Sequence, residues 1–311
     1  MRHALLLLSL LLALSQPAVA AEKLTVLLDW FVNPDHVPLV IAEEKGYFAD
    51  AGLEVELVAP ADPALPPKLV AAGQADIAVT YQPNLHLDVH EGLPLVRIGT
   101  LVETPLNSLV VLADGPVKTL ADLKGRTVGF SVGGFEDAVL GLMLEGVGLS
   151  LADVKLVNVN FSLSPSLISG QVDAVIGAFR NFELNQMEIE GKPGLAFYPE
   201  ENGVPAYDEL IFAARKDEAG SAKMQAFMAA VERATIFATN HPEEALALFV
   251  KAHPDLDDEL NRRAFAATMP RFAKRPAALD TGRYQRFAEF LKSRGLIATV
   301  PPVSDYAIEP R

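Results

Sequence analysis

Cysteine is absent from the 311 residues, so neither disulfides nor thiolate-bound metals can hold the chain together and packing must do so. The same absence removes the residue on which a bacterial lipid anchor is built. Basic side chains are scarce: 26 Lys and Arg stand against 40 Asp and Glu, a formal charge of −14. No basic cluster is longer than a pair such as Arg262-Arg263. Nucleic acid is therefore not an expected partner, because binding it requires a basic face that displaces phosphate counterions. Long apolar runs are missing too. The longest, Ala4–Leu14, interrupted only by Ser9, falls short of the ~20 residues that span a bilayer as a helix, so the chain is not expected to be membrane-embedded.

Met1-Arg2-His3, that apolar run and the small-residue stretch Ala18-Val19-Ala20 have the three regions of a secretory signal peptide. Residues 1–20 are expected to be removed after Ala20, leaving a protein without a lipid anchor in the periplasm. The remainder alternates short β-rich runs with amphipathic helices, the pattern of α/β layers. Strands are predicted at Leu24–Trp30, Glu54–Ala59 and Asp76–Thr80, with helices near Ala42–Gly46 and Leu65–Ala72. A second series has strands at Thr127–Val132, Lys155–Asn160 and Val172–Ala178 and helices near Glu136–Val147, Ser164–Ser169 and Phe182–Ile189. Strands Asn107–Leu112 and Glu209–Ala214 flank it, and after Lys216 the pattern is helical to Leu296. This layout predicts two lobes: residues 21–104 and 210–311 form lobe one, and residues 105–209 form an inserted lobe two. The chain would cross twice, near Thr100–Asn107 and Tyr207–Phe212, with the ligand in the interlobe cleft.

Loops that follow strands bind ligands in α/β proteins, which draws attention to Asp29-Trp30-Phe31-Val32-Asn33-Pro34-Asp35-His36. Trp30 offers a flat apolar face beside Asp29, Asn33 and His36, a set suited to a planar heterocycle with donors and acceptors on its edge. A core Trp30 beside a simple turn is equally compatible with the composition. Tyr81, after the third strand, and Glu103 and Asn107, near the first crossover, are candidates on the same geometric ground.

Asp29-Trp30-x-x-Asn33-x-x-His36, followed by Ile41-Ala42-Glu43-Glu44-Lys45-Gly46-Tyr47-Phe48, resembles the substrate-binding proteins of ABC importers for thiamine pyrimidine precursors. The resemblance continues through Gly73-Gln74-Ala75-Asp76-Ile77-Ala78, Leu120-Ala121-Asp122-Leu123-Lys124-Gly125 and Ser169-Gly170-Gln171-Val172-Asp173-Ala174. Those later motifs are shared with importers of sulfonates and nitrate; the Asp-Trp stretch is what points to a pyrimidine. The resemblance implies an α/β, two-lobed periplasmic binding protein fold of type II, with two crossovers. It implies a monomer that delivers a formylaminopyrimidine-like ligand to an ABC transporter permease and uses no cofactor. Riboflavin, another planar solute or a sulfonate is the alternative ligand. A eukaryotic branch of the resemblance is an enzyme, a pyrimidine synthase that holds pyridoxal phosphate on a Lys and consumes its own His. Thr80 and Asn84 stand where those residues would fall, so that chemistry lacks its starting groups.

Three further stretches complete the expectations. Gly129–Glu136 follows a strand and opens a helix without P-loop or dinucleotide spacing, and Ser131, Gly133 and Phe135 are its candidate ligand contacts, a tight turn being the alternative. Glu136 would oppose an anion there. Arg180-Asn181-Phe182-Glu183 is expected to answer Asp29-Trp30 from lobe two, Glu183 accepting from an exocyclic amine and Arg180 orienting it, unless the two form a surface salt bridge. His86, Asp88, His90 and Glu91 lack the zinc-protease spacing and read as a solvated helix face.

Overall fold

The computed structural model describes residues 21–310, so the expected signal peptide lies outside the described residues. In chain order the first half runs β1 (Glu22–Leu27), α1 (Val37–Glu44), α2 (Tyr47–Asp50), β2 (Leu53–Val58), α3 (Pro66–Ala71), β3 (Ile77–Thr80), α4 (Gln82–His90) and β4 (Leu95–Val102). The chain then enters β5 (Asn107–Leu112), β6 (Thr127–Phe130), α5 (Glu136–Glu145), β7 (Lys155–Asn158), α6 (Leu163–Ile168), β8 (Ala174–Phe179), α7 (Glu183–Ile189) and β9 (Gly194–Phe197). It returns through β10 (Leu210–Arg215) and closes with α8 (Ala222–Asn240), α9 (Pro242–Ala252), α10 (Glu259–Thr268) and α11 (Thr281–Ser293).

Two five-stranded sheets result, ordered β2-β1-β3-β10-β4 and β7-β6-β8-β5-β9. They share one plan. In the first, β1 lies parallel between β2 and β3 while β10 runs antiparallel to β3 and β4; in the second, β6 lies parallel between β7 and β8 while β5 runs antiparallel to β8 and β9. This equivalence corrects one expectation: β8 is the counterpart of β3, not of β1, so Arg180–Glu183 answers Tyr81. The loop after β6, which carries Ser131 and Glu136, answers Asp29-Trp30.

Strand β4 was not predicted. Its run Leu95–Val102 is wholly buried although it contains Arg97. That guanidinium donates to the carbonyls of Ala277 (3.0 Å), Pro276 (3.0 Å), Ala278 (2.6 Å) and Ile308 (3.1 Å) and to Thr100 Oγ1 (2.8 Å), pinning the C-terminal segment to the sheet. A buried charge is tolerated where hydrogen bonds replace its hydration.

Helix α1 begins after a turn capped by Asn33 and ends at Gly46, whose φ of 69° suits glycine as the residue that stops a helix. The C-terminal helices are expected on lobe one: the buried face of α1 packs on α8 and α9, with Phe227, Phe249 and Phe287 in the core. Helix α10 departs from that expectation, because it also touches α7 of the second lobe. The solvated reading of His86 and Asp88 is corrected as well: both are buried, and the His86 ring packs against Phe287 at 5.5 Å and Tyr306 at 5.0 Å. Burial pushes the His86 pKa down to about 3.

Candidate functional site

The C-terminal ends of the parallel strands of both sheets converge on one narrow cavity. Lobe one contributes Asp29, Trp30, Asn33, Asp35 and Tyr81, and lobe two contributes Glu136, Leu163, Gly177, Phe179, Phe182 and Glu183. No lysine or arginine lines it.

The spacing Asp29-x₃-Asn33-x₂-His36 becomes a closed network. The Asn33 amide N–H donates to His36 Nδ1 at 3.3 Å, which leaves Nε2 to donate to Asp29 Oδ1 at 2.9 Å. Asn33 Oδ1 accepts from the Asp35 amide at 2.8 Å, and Tyr81 OH donates to Asp29 Oδ2 at 3.2 Å. His36 is fully buried and outside the lining, so it fixes Asp29 rather than facing the cavity. The loop so held presents Trp30, whose ring meets Phe161 of the second lobe edge-on at 4.6 Å. Tyr81 stacks on Phe135 at 5.0 Å, and Phe179 meets Tyr81 edge-on at 6.4 Å. Aromatic rings from both lobes, Trp30 and Tyr81 on one side and Phe179 and Phe182 on the other, thus line the cavity.

Three carboxyls are anchored by donors and pushed up by burial. Asp35 Oδ1 accepts from Asn181 Nδ2 at 2.6 Å and Thr268 Oγ1 at 2.7 Å, yet desolvation raises its pKa to about 6. Glu136 Oε2 accepts from the Ser131 amide at 2.6 Å, and burial outweighs that bond to raise it to about 8. Glu183 Oε2 accepts from the Phe179 amide at 2.7 Å, and burial raises it to about 7. Gly177, at φ +99°, makes room for Glu136: a Cβ there would fall 2.2 Å from Oε1. Burying several like-charged groups together favours their neutral forms.

Of the sequence-predicted residues, Asp29, Trp30, Asn33, Tyr81 and Glu183 line the cavity; the others do not. Phe135 lies behind Tyr81. Asn107 is buried one layer back, its Oδ1 accepting from the Gly177 amide at 3.0 Å. Arg180 is not an orienting group: Glu200 takes it bidentately at 2.6 and 3.0 Å, and its guanidinium covers the Tyr198 ring at 4.0 Å. The amide of Ser131 is used by Glu136 and that of Gly134 by Asp137, so the glycine stretch is a tight turn with few free donors, and Gly133 lies outside the lining. Glu103 is exposed, its amide donating to the Arg271 carbonyl at 3.0 Å. Asp35, Gly177, Phe179 and Phe182 were not anticipated, although Asp35 sits inside the conspicuous motif. Thr80 and Asn84 are both buried outside the lining, Asn84 donating to Asp88 at 2.8 Å.

The crossovers that join the lobes are themselves tied. Glu209, on the return segment, accepts from the Asn107 amide at 2.9 Å and from the Leu106 amide, both on the outward segment.

A family model described as NMT1/THI5 like matches residues 33–245. A Haemophilus influenzae protein named for thiamine biosynthesis is 54% identical over 96% of this chain and 95% of its own. A formylaminopyrimidine-binding protein of Halalkalibacterium halodurans is 36% identical over 73% of this chain and 69% of its own. At 24% identity, over 87% of this chain and 88% of its own, stands a Legionella pneumophila protein named as a 4-amino-5-hydroxymethyl-2-methylpyrimidine phosphate synthase. Among solved structures, the alkanesulfonate-binding protein SsuA of Xanthomonas axonopodis superposes with a TM-score of 0.71 at 16% identity, covering 93% of this chain and 99% of that one. A Candida albicans protein described as having the generic periplasmic binding protein fold gives 0.73 at 18% identity, covering 93% and 97%. The fold is that of the periplasmic binding proteins.

Proposed function

The chain belongs to the NMT1/THI5-like family, and on that premise we propose that it is a periplasmic solute-binding protein that captures a formylaminopyrimidine-like pyrimidine and delivers it to an ABC importer. The observation that carries the reading is the lining of the cavity: aromatic rings with four carboxyls, Asp29, Asp35, Glu136 and Glu183, and no lysine or arginine. That set meets the donors and acceptors on the edge of a planar ring and offers no cationic side chain to nitrate, sulfonates or phosphates.

In this reading Trp30 and Tyr81 flank the ring, Asn33 and Asp35 meet its substituents, and Glu183 faces an exocyclic amine. Catalysis has no support in the lining, because no lysine is present to hold pyridoxal phosphate and Thr80 and Asn84 lie outside it. Absence of cysteine and the pattern of residues 1–20 support export without a lipid anchor. Among the described residues no helix is long and apolar enough to cross a membrane; in this reading the permease is a separate protein. We take the carrier to be a monomer, one cavity per chain.

Thermal unfolding of the purified protein with formylaminopyrimidine, riboflavin or taurine tests this. A ligand at ~100 times its Kd adds about 2.7 kcal/mol, a shift of several degrees. A shift with the pyrimidine alone is expected; a shift only with riboflavin or taurine would overturn the ligand assignment.

A further inference from the structure

Four carboxyls share the cavity, and no basic side chain lines it. Asp29 is occupied on both oxygens by His36 and Tyr81, and Asp35 is held by Asn181 and Thr268. Glu136, on α5, and Glu183, at the start of α7, each keep one oxygen on a backbone amide. The charged groups behind them bring no relief: Asp137 and Glu209 are acidic, and Arg180 is engaged by Glu200. Four buried carboxyls facing one space with no cation in the lining disfavour simultaneous ionisation, and burial accordingly pushes Glu136 up to about 8 and Glu183 up to about 7.

A protonated carboxyl has a different hydrogen-bonding pattern from a carboxylate. It offers one O–H donor beside one carbonyl acceptor, whereas the ionised group only accepts. The amidine edge of an aminopyrimidine, a ring nitrogen next to an exocyclic amine, offers the complementary acceptor and donor in one plane. We propose that Glu183 reads this amidine edge as a carboxylic acid, sharing its proton with the ring nitrogen while its carbonyl accepts from the amine. The inference rests on the pyrimidine-capture reading and narrows it to heterocycles with a ring nitrogen beside an amine. The balance is simple: the proton on Glu183 before capture is the proton between Glu183 and the ring nitrogen afterwards, so capture by an ionised cavity must take one up.

Calorimetric titration of the full protein with formylaminopyrimidine from pH 6 to 9.5, in buffers of different ionisation enthalpy, tests the idea. Affinity is expected to fall above about pH 7, the value to which burial raises Glu183, towards tenfold per pH unit, with an uptake approaching one proton. Glu183→Gln, whose amide carries a donor and an acceptor but no titratable proton, should lose the slope whatever its affinity at pH 7. An analogue with CH in place of that ring nitrogen should bind at least a hundredfold more weakly. Affinity that is flat or rises with pH, a slope that survives in Glu183→Gln, or equal binding of the CH analogue would each overturn the shared proton and leave pyrimidine capture standing. No binding at any pH would overturn both.

Discussion

Asn181 of the second lobe donates to Asp35 of the first at 2.6 Å, and Thr268 of α10 donates to the same carboxylate oxygen at 2.7 Å. Asp35 also lines the cavity, so one side chain touches the ligand space, the opposite lobe and the C-terminal helices. Removing Asn181 therefore loosens this contact between the lobes without altering the aromatic lining. A hydrogen bond to a charged group contributes about 1.5–3 kcal/mol, so Asn181→Ala should weaken binding by roughly tenfold to a hundredfold, mainly through faster release. Stopped-flow dissociation, with X-ray scattering to follow compaction on ligand addition, measures both. An unchanged release rate would make the contact idle.

Trp30 stands between ligand space and Phe161. Trp30→Ala should cost at least tenfold in affinity while thermal unfolding stays cooperative. Unaltered affinity would assign Trp30 to packing alone.

Gly177 and Glu136 compete for one volume. Gly177→Ala places a Cβ 2.2 Å from the carboxyl and strains a backbone at φ +99°, whereas Gly170→Ala, at φ +75°, meets open space. Both should lose stability, but only Gly177→Ala should also abolish binding. Equal affinities in the two variants would show that the position of Glu136 is immaterial to the ligand.

Arg97→Met leaves the carbonyls of Pro276, Ala277, Ala278 and Ile308 without their donor. Losing a buried hydrogen-bonded charge typically costs about 3–5 kcal/mol when its partners stay behind. Urea unfolding should show a loss of that order with ligand affinity preserved. A loss under 1 kcal/mol would mean that water replaces the guanidinium.

Stability should vary with pH through opposing groups. Asp35, Glu183 and Glu136 have folded pKa values raised to about 6, 7 and 8, so their contribution is fully present below the unfolded carboxylate pKa of ~4 and is lost as pH rises through those values. His86, lowered to about 3, acts the other way: the unfolded chain takes up its proton below pH ~6.5, and stability falls there as pH decreases. Glu136→Gln should flatten the alkaline limb of the Tm profile and His86→Phe the acid limb. Profiles identical to the unaltered protein would contradict the assignment.

The parts legible in sequence are those encoded within a few residues. Period-two and helical patterns located most strands and helices, and the Asp29–His36 spacing marked a loop whose network closes over seven residues. What escaped depends on distant partners. β4 carries an arginine at its centre, acceptable only because carbonyls some 180 residues away surround it. Arg180 was open between orienting the ligand and forming a salt bridge until Glu200 was placed against it, and Asp35 gained significance only when Asn181 and Thr268 met it. The acidity of the cavity arises from four carboxyls brought together by two sheets, which no local motif records.

The bond from Glu209 to the amides of Leu106 and Asn107 makes the two connecting segments a single stitched ribbon rather than two independent tethers. Connecting segments tied at one point favour a swing of the lobes about that tie over a slide. An importer that recognises the outer faces of both lobes would then read a single coordinate, the angle of the swing, and a filled cavity is reported as one value of that angle.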